Sequence, residues 1–293
     1  MSDRTSRRRV TRIRLADAET GGSALVSERA DLLAAEEPLG IRIAGQAVNL
    51  TMRTPGDDID LAAGFLFTEG IVTSLDEITE IKVCDGTACG HAGHDGLGNI
   101  VDVKLADGNP SAAGLAPRRN FMTTSACGVC GKAEASAIFV KKLWNLNEDQ
   151  AGISAARLAA MPDALRDAQR VFASTGGLHA AGAFSAQGEL MCVREDVGRH
   201  NAVDKVIGWA LRSGRLPMRS GVLLVSGRAS FELVQKAVLA GFPVLAAVSA
   251  PSSLAADLAE QAGLTLVGFL RGGSMNVYTG AGRVRAESSA GAR

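Results

Sequence analysis

The sequence predicts an α/β protein, with a mixed sheet and flanking helices in the second half and a smaller α+β region before it. Two observations carry the prediction. From residue 179 onward, short apolar runs alternate with amphipathic stretches, and glycines stand just past the stretches at Gly214, Gly241 and Gly263. Before residue 106 the apolar residues alternate singly with polar ones, the period of strands, around one helical segment.

In chain order, Leu39, Ile41 and Ile43 alternate, Gly45 and Gln46 can turn the chain, and Val48, Leu50 and Met52 alternate again, so a hairpin is expected. Thr54 can cap a helix with Pro55 in its first position, Asp57 and Asp58 suit the positive end of the dipole, and Gly70 can close it. A helix over 55–69 follows. Strands are expected at 78–83 and 99–105, separated by a loop rich in Gly, His and Cys, and a helix at 133–143.

The second half is more regular. Leu165, Ala168 and Phe172 give helical spacing over 162–172, and strands follow at 179–184 and 190–194, joined at Gln187-Gly188. Val203, Val206, Ile207, Ala210 and Leu211 form a helical stripe. A strand at 222–225, a helix at 230–240, a strand at 244–248, a helix at 252–262 and strands at 265–270 and 275–278 complete the order ββαβαβαββ.

The 293 residues can bury a sizeable core, and two domains are expected. Lys plus Arg and Asp plus Glu both number 31, so no global field draws the chain to nucleic acid or to an anionic membrane. No basic-then-apolar leader opens the chain, and the longest uncharged apolar stretch, 237–250, is too short to span a bilayer and is broken by Gly241 and Pro243. Five cysteines, an odd number, do not read as a disulfide framework and suit a reducing cytoplasm. The arginine-rich start, 1–22, reads as a solvated disordered tail and 281–293 as a second loose end.

The pair Cys127 and Cys130 is the strongest chemical signal. Gly128 and Gly131 leave little bulk around the sulfurs, and Lys132 favours a thiolate. Spacing alone leaves three uses open: a dithiol redox pair, half of a metal site, or a nucleophile with its companion. Cys84, Cys89, His91 and His94 form a rival cluster that could complete a zinc site, although their spacing is not that of a standard zinc finger. Cys192, inside an apolar strand, reads as core.

Three turns pair arginine with glycine: Val197-Gly198-Arg199-His200, Ser226-Gly227-Arg228-Ala229-Ser230 and Arg271-Gly272-Gly273-Ser274. Two precede expected helices, where unpaired N–H groups favour anions, and the third follows a strand. None matches a Walker or dinucleotide fingerprint. Their coincidence at strand ends points to a ligand carrying phosphates.

Longer motifs add to this. Met52-Arg53-Thr54-Pro55-Gly56-Asp57-Asp58, Gly64-Phe65-Leu66-Phe67-Thr68-Glu69-Gly70, the Cys127 segment, Arg194-Glu195-Asp196-Val197-Gly198-Arg199-His200-Asn201-Ala202-Val203-Asp204-Lys205 and Ser226-Gly227-Arg228 occur in this order. Together they resemble the formate dehydrogenase accessory sulfurtransferase family, FdhD, over nearly the whole chain except the tails. The resemblance implies a cytoplasmic sulfur carrier. Such a protein accepts persulfide sulfur from a cysteine desulfurase and passes it to the molybdenum cofactor, in its bis guanine dinucleotide form, before insertion into the formate dehydrogenase catalytic subunit. It implies that Cys127 bears the persulfide with Cys130 as companion, and that Phe269, Leu270, Arg271, Gly272, Gly273 and Ser274 are the cofactor-binding segment, joined by Arg199, His200 and Arg228. No permanent metal is expected, and a homodimer is compatible with the family.

The family fold is similar to that of cytidine deaminases. Those enzymes place zinc ligands and a glutamate at two helix starts. The corresponding positions here, His200-Asn201-Ala202 and residues 226–230, hold neither the cysteines nor the glutamate. The resemblance therefore implies an α+β domain with the CxxC loop at 23–150 and a deaminase-like cofactor-binding domain at 151–280.

Overall fold

The computed structural model describes residues 4–15, 24–84, 99–108, 143–149 and 152–286, which form six α-helices and fourteen strands in four sheets. Cys127, Cys130, Cys89, His91 and His94 lie outside the described residues, as does the expected helix 133–143 apart from its last residue. No described helix is long and apolar enough to cross a membrane.

The basic start is not a loose tail over its whole length. β1 (Thr5–Arg14) pairs antiparallel with β2 (Leu25–Ala34) in a ten-residue register from Thr5 opposite Ala34 to Arg14 opposite Leu25. Backbone pairing satisfies the strand, and Glu28 of β2 relieves part of its charge, with Arg9 reaching it at 3.5 Å. The ribbon is rooted by Arg4, which bonds Asp57 at 2.9 Å and accepts the Ala35 N–H on its carbonyl.

The expected hairpin is present as β3 (Glu37–Ile43) and β4 (Gln46–Arg53), turning at Ala44 and Gly45. With β5 (Ile78–Cys84) and β6 (Ile100–Leu105) they form a four-stranded sheet in the order β4-β3-β6-β5. Leu39, Ile41 and Ile43 point inward from β3, as their alternation requires, and are buried.

The next helix, α1 (Asp58–Thr68), begins at Asp58 and not at residue 55. Gly56 and Asp57 sit at φ 99° and 57°, a conformation that cannot continue a right-handed helix. Buried Arg53 grips Asp58 with two hydrogen bonds of 2.9 and 3.0 Å and reaches Glu37 at 3.2 Å, drawing the intervening residues into a tight turn. Thr54 is consequently no helix cap.

The expected helix 162–172 is two helices. α2 (Ala155–Ala168) starts earlier, capped by the Ser154 hydroxyl on the Arg157 N–H, and runs through Pro162; β7 (Ile153–Ser154) immediately precedes it. α3 (Arg170–Thr175) follows after Gln169, because the Glu195 carboxylate takes the N–H groups of Val171 and Phe172 at 3.0 and 2.7 Å and anchors a new helix start.

Then come β8 (His179–Phe184), β9 (Leu190–Asp196), α4 (Arg199–Arg212), β10 (Val222–Val225), α5 (Phe231–Leu239), β11 (Val244–Ala247), α6 (Ser253–Ala262), β12 (Thr265–Arg271) and β13 (Ser274–Thr279), the element order read from the sequence. The sheet order is β13-β12-β11-β10-β8-β9; the central β10, β11 and β12 are parallel and the other pairs antiparallel. Both faces are covered. Leu223, Val225, Leu245 and Ala247 belong to one hydrophobic cluster, while Val222, Leu224, Val244 and Ala246 face a second with Leu158, Met161 and Leu165 of α2. The first cluster also contains Leu39, Ile41, Leu61 and Phe67, so the first half packs into the same core as the large sheet.

The end of the chain is also held. Residues 281–285, expected to be loose, form a 3-10 turn and β14 (Val284–Arg285), which pairs parallel with β7. Arg283 donates to the carbonyls of Asp149, Gly263 and Leu146, tying the segment down.

Candidate functional site at the carboxyl edge of the large sheet

Because β10, β11 and β12 are parallel, their carboxyl ends at Val225, Ala247 and Arg271 reach one edge of the sheet. β8 is antiparallel to β10 and starts there with His179, which lies opposite Asp196, the last residue of β9. All three arginine–glycine turns leave from this edge. Residues 197–198 lead into α4, residues 226–230 lead from β10 to α5, and Gly272 and Gly273 turn β12 into β13. Such an edge leaves strand-end and helix-start N–H groups facing outward, the usual place for a ligand in an open α/β sheet.

Contacts connect the turns. Phe269 donates its N–H to the Ser249 carbonyl at 3.1 Å, and Ser249 donates to the Gly227 carbonyl at 3.4 Å. A side chain on Gly227 would touch His179 at 3.4 Å, so glycine lets the 226–230 turn lie against that imidazole. On the other side of the turn, His200 Nε2 lies 3.4 Å from the Ser230 hydroxyl and 2.6 Å from Glu232 Oε2. Arg199 is the first residue of α4, and its buried Nε has no hydrogen-bond partner among the described residues.

The structure thus brings Arg199, His200, Arg228 and the 269–274 segment to one edge. Arg228, Arg271, Gly272, Gly273 and Ser274 are exposed. Leu270 differs, since its side chain is buried in the second cluster and offers a ligand only its backbone. Phe269 sits at φ 51°, a left-handed conformation unusual for a bulky residue, within an irregularity in the β12–β13 register, and the Arg271 guanidinium lies 5.7 Å from its ring centre.

Sequence reading missed His179 and Glu232 as members of this edge. His179 opens a strand and Glu232 lies inside a helix, so only the packing of the strand ends shows that one lies against Gly227 and the other against His200. Burial holds the His179 imidazole below its ordinary pKa of 6.5, helped by the positive charge of Arg199 and by His200 and opposed by Asp196.

A buried network fixes the 197–201 turn. Asp196 accepts the Gly198 N–H at 2.8 Å and the Asn201 amide at 3.1 Å on one oxygen, and the Thr54 N–H at 3.2 Å and Lys205 Nζ at 2.8 Å on the other. Lys205 also donates to the carbonyls of Thr54 and Glu195, at 2.9 and 3.3 Å, so its buried ammonium is fully used. The Thr54 hydroxyl accepts the Val197 N–H at 3.2 Å, and Asn201 donates to the Met52 carbonyl at 2.8 Å. Two segments of the long motifs, far apart in the chain, are therefore one structural unit.

Of the described cysteines, Cys192 is buried in β9, where desolvation pushes its thiol up to about 12. It is core, as expected. Cys84 ends β5, buried and disulfide-bonded, so it is not the free thiol that the rival zinc cluster would need. Among the described residues no group of three His, Cys, Asp or Glu side chains is placed to hold a metal.

Comparison with known proteins settles the relationship. Residues 34–285 match the model of the FdhD/NarQ family. The chain belongs to the FdhD/NarQ family. It is 57% identical over 280 residues to the sulfur carrier protein FdhD of Mycolicibacterium paratuberculosis, covering 96% of this chain and 98% of that one. It is 54% identical over 289 residues to the protein of the same name from Streptomyces avermitilis, covering 98% of both. A crystal structure described as a formate dehydrogenase accessory protein from Desulfotalea psychrophila matches with a TM-score of 0.72 at 24% identity, over 97% of this chain and all of that one, and so shares the fold.

Proposed function

We propose that this family member is a sulfur carrier for formate dehydrogenase, working on the molybdenum cofactor in its bis guanine dinucleotide form. The observation that carries the reading is the convergence of three arginine–glycine turns on one sheet edge, in a chain whose relatives are named sulfur carrier proteins. Arg199, Arg228 and Arg271 supply positive charge, the starts of α4 and α5 supply N–H groups, and His200 and Phe269 add a hydrogen-bonding and a stacking surface. A cofactor carrying several phosphates and two guanines fits that set. On this reading the scaffold is deaminase-like and turned to binding, because His200-Asn201-Ala202 and residues 226–230 occupy the helix starts where a deaminase holds zinc.

The chemistry belongs to Cys127 and Cys130. The Cys127 thiolate attacks the outer sulfur of a cysteine desulfurase persulfide; the donor's S–S bond breaks, the desulfurase leaves as a thiolate, and Cys127 holds the persulfide. Attack by the Cys130 thiolate on Cys127 Sγ then releases the outer sulfur as sulfide to the docked cofactor. The two electrons come from closing the Cys127–Cys130 disulfide, which a cellular thiol reopens. The protein works in the cytoplasm, with the desulfurase and the formate dehydrogenase catalytic subunit as its partners.

Incubation with a cysteine desulfurase and cysteine, followed by intact mass measurement, tests the carrier step. One reductant-labile sulfur is expected, lost in Cys127→Ala. A protein that takes up no sulfur, or takes it up regardless of Cys127→Ala and Cys130→Ala, would overturn the reading.

A further inference from the structure

The β1–β2 ribbon lies outside the functional site, and the family match begins only at residue 34, so its use is a separate question. A two-stranded ribbon is marginal in water by itself. Here β1 has β2 as its only neighbour among the described strands, so every second residue along its ten turns its N–H and C=O to an edge with no strand on it. That edge is charged as no other segment is. β1 carries Arg7, Arg8, Arg9, Arg12 and Arg14 with no acidic residue, in a chain that is neutral overall. Arg9 has its partner in Glu28, and Asp31 is bonded by Arg29 at 3.0 Å, but Arg7, Arg8, Arg12 and Arg14 are exposed and make no ion pair among the described residues.

The arginines point to both faces of the ribbon. Arg8, Arg12 and Arg14 share one face and Arg7 and Arg9 the other, as strand alternation dictates. Pairing β1 with β1 of a second copy would set arginine against arginine, so the edge rejects itself. An incoming strand with carboxylates on both faces would instead meet opposite charge at each step while completing the backbone ladder. Beyond the arginines, Ile13, Leu25 and Val26 are 62%, 71% and 66% exposed, an apolar tip that favours a protein segment over a nucleic acid.

We infer that the open edge of β1 is a docking strand for an acidic, extended segment of a partner protein, which adds to the ribbon as a third strand. The root of the ribbon is pinned to Asp57, which also lies 3.5 Å from Arg194, so the docked segment is held on the side of the molecule where residues 52–54 meet the 197–201 turn.

The test uses the full chain and a fluorescent, end-blocked peptide of repeating Glu-Glu-Val-Val, which puts carboxylates on both faces of a strand, about ten residues long to match β1. Anisotropy should report saturable binding that weakens with salt and falls about tenfold or more when Arg7→Gln, Arg8→Gln, Arg12→Gln and Arg14→Gln are combined. The variant sites are exposed, and circular dichroism checks that the fold persists. A peptide of equal charge with Pro in place of Val cannot complete the ladder and should bind more weakly by a similar factor. Equal binding of the Pro peptide would overturn strand addition. Tighter binding of a single-stranded oligonucleotide of the same charge would overturn the choice of a protein partner. Dimerisation of the free chain that is lost in the arginine variant would assign the edge to a second copy and overturn the inference.

Discussion

Gly64 of α1 and Gly208 of α4 back onto each other where the two helices cross. A methyl on Gly64 would collide with the Asp204 carbonyl oxygen and approach the Gly208 nitrogen to 2.9 Å; one on Gly208 would collide with the Asp60 carbonyl oxygen and approach the Gly64 nitrogen to 2.8 Å. Both obstacles are backbone and cannot swing aside. Gly64→Ala or Gly208→Ala must therefore separate the helices, and we expect a loss of about 3 kcal/mol or more in urea unfolding. Gly70→Ala is the control: it has nothing within 4 Å and φ 73°, so it should cost only about 1 kcal/mol from the backbone conformation.

The Asp196–Lys205 pair gives a second expectation. Lys205→Met leaves the buried Asp196 carboxylate without its counter-charge, and breaking such a pair costs about 3–5 kcal/mol. Chemical denaturation measures it. Because Asp196 also holds Gly198 and Asn201, the proposed function requires that the variant lose affinity for the guanine dinucleotide cofactor even at temperatures where it remains folded.

His179 sets a pH dependence. Its folded-state pKa lies below 6.5, so between the two values the unfolded chain binds more protons. The stability it contributes is full above pH 6.5 and is lost as the pH falls through the folded value. His179→Gln should flatten that part of a stability profile recorded from pH 7.5 downward, leaving the part above pH 7 unchanged.

Cys192 should be inert. With its thiol pushed up to about 12 it remains protonated at pH 8, so N-ethylmaleimide should leave the Cys192 peptide unmodified in the native protein and label it after unfolding in urea. Sulfur loading should survive Cys192→Ala.

Much of this architecture was legible in the residues. The stripe from Val203 to Leu211, the four apolar residues of β10 and the glycine after α6 are local signals, and local signals survive folding. What was not legible depends on distant partners. Thr54 has every mark of a helix cap until Asp196 and Val197 claim its backbone and hydroxyl, and Glu195 breaks the helix at Gln169 from another strand. The arginines of β1 read as a solvated tail because their strand partners stand some twenty residues away and nothing in either segment alone is apolar enough to announce a sheet. At the site, the turns were visible as motifs, but their meeting was not: His179 joins Gly227 only because β8 runs antiparallel to β10.

The bonds from Met52 and Thr54 to Asp196, Val197, Asn201 and Lys205 have a consequence for recombining this protein with its relatives. A crossover that takes residues 52–54 from one parent and 196–205 from another would inherit two halves of one fastening shaped apart, whereas exchanging both together carries the fastening intact. Chimeras should therefore tolerate a swapped β1–β2 ribbon, tied to the body through Arg4 and Asp57 and resting on α3, far better than a junction placed between residues 54 and 196.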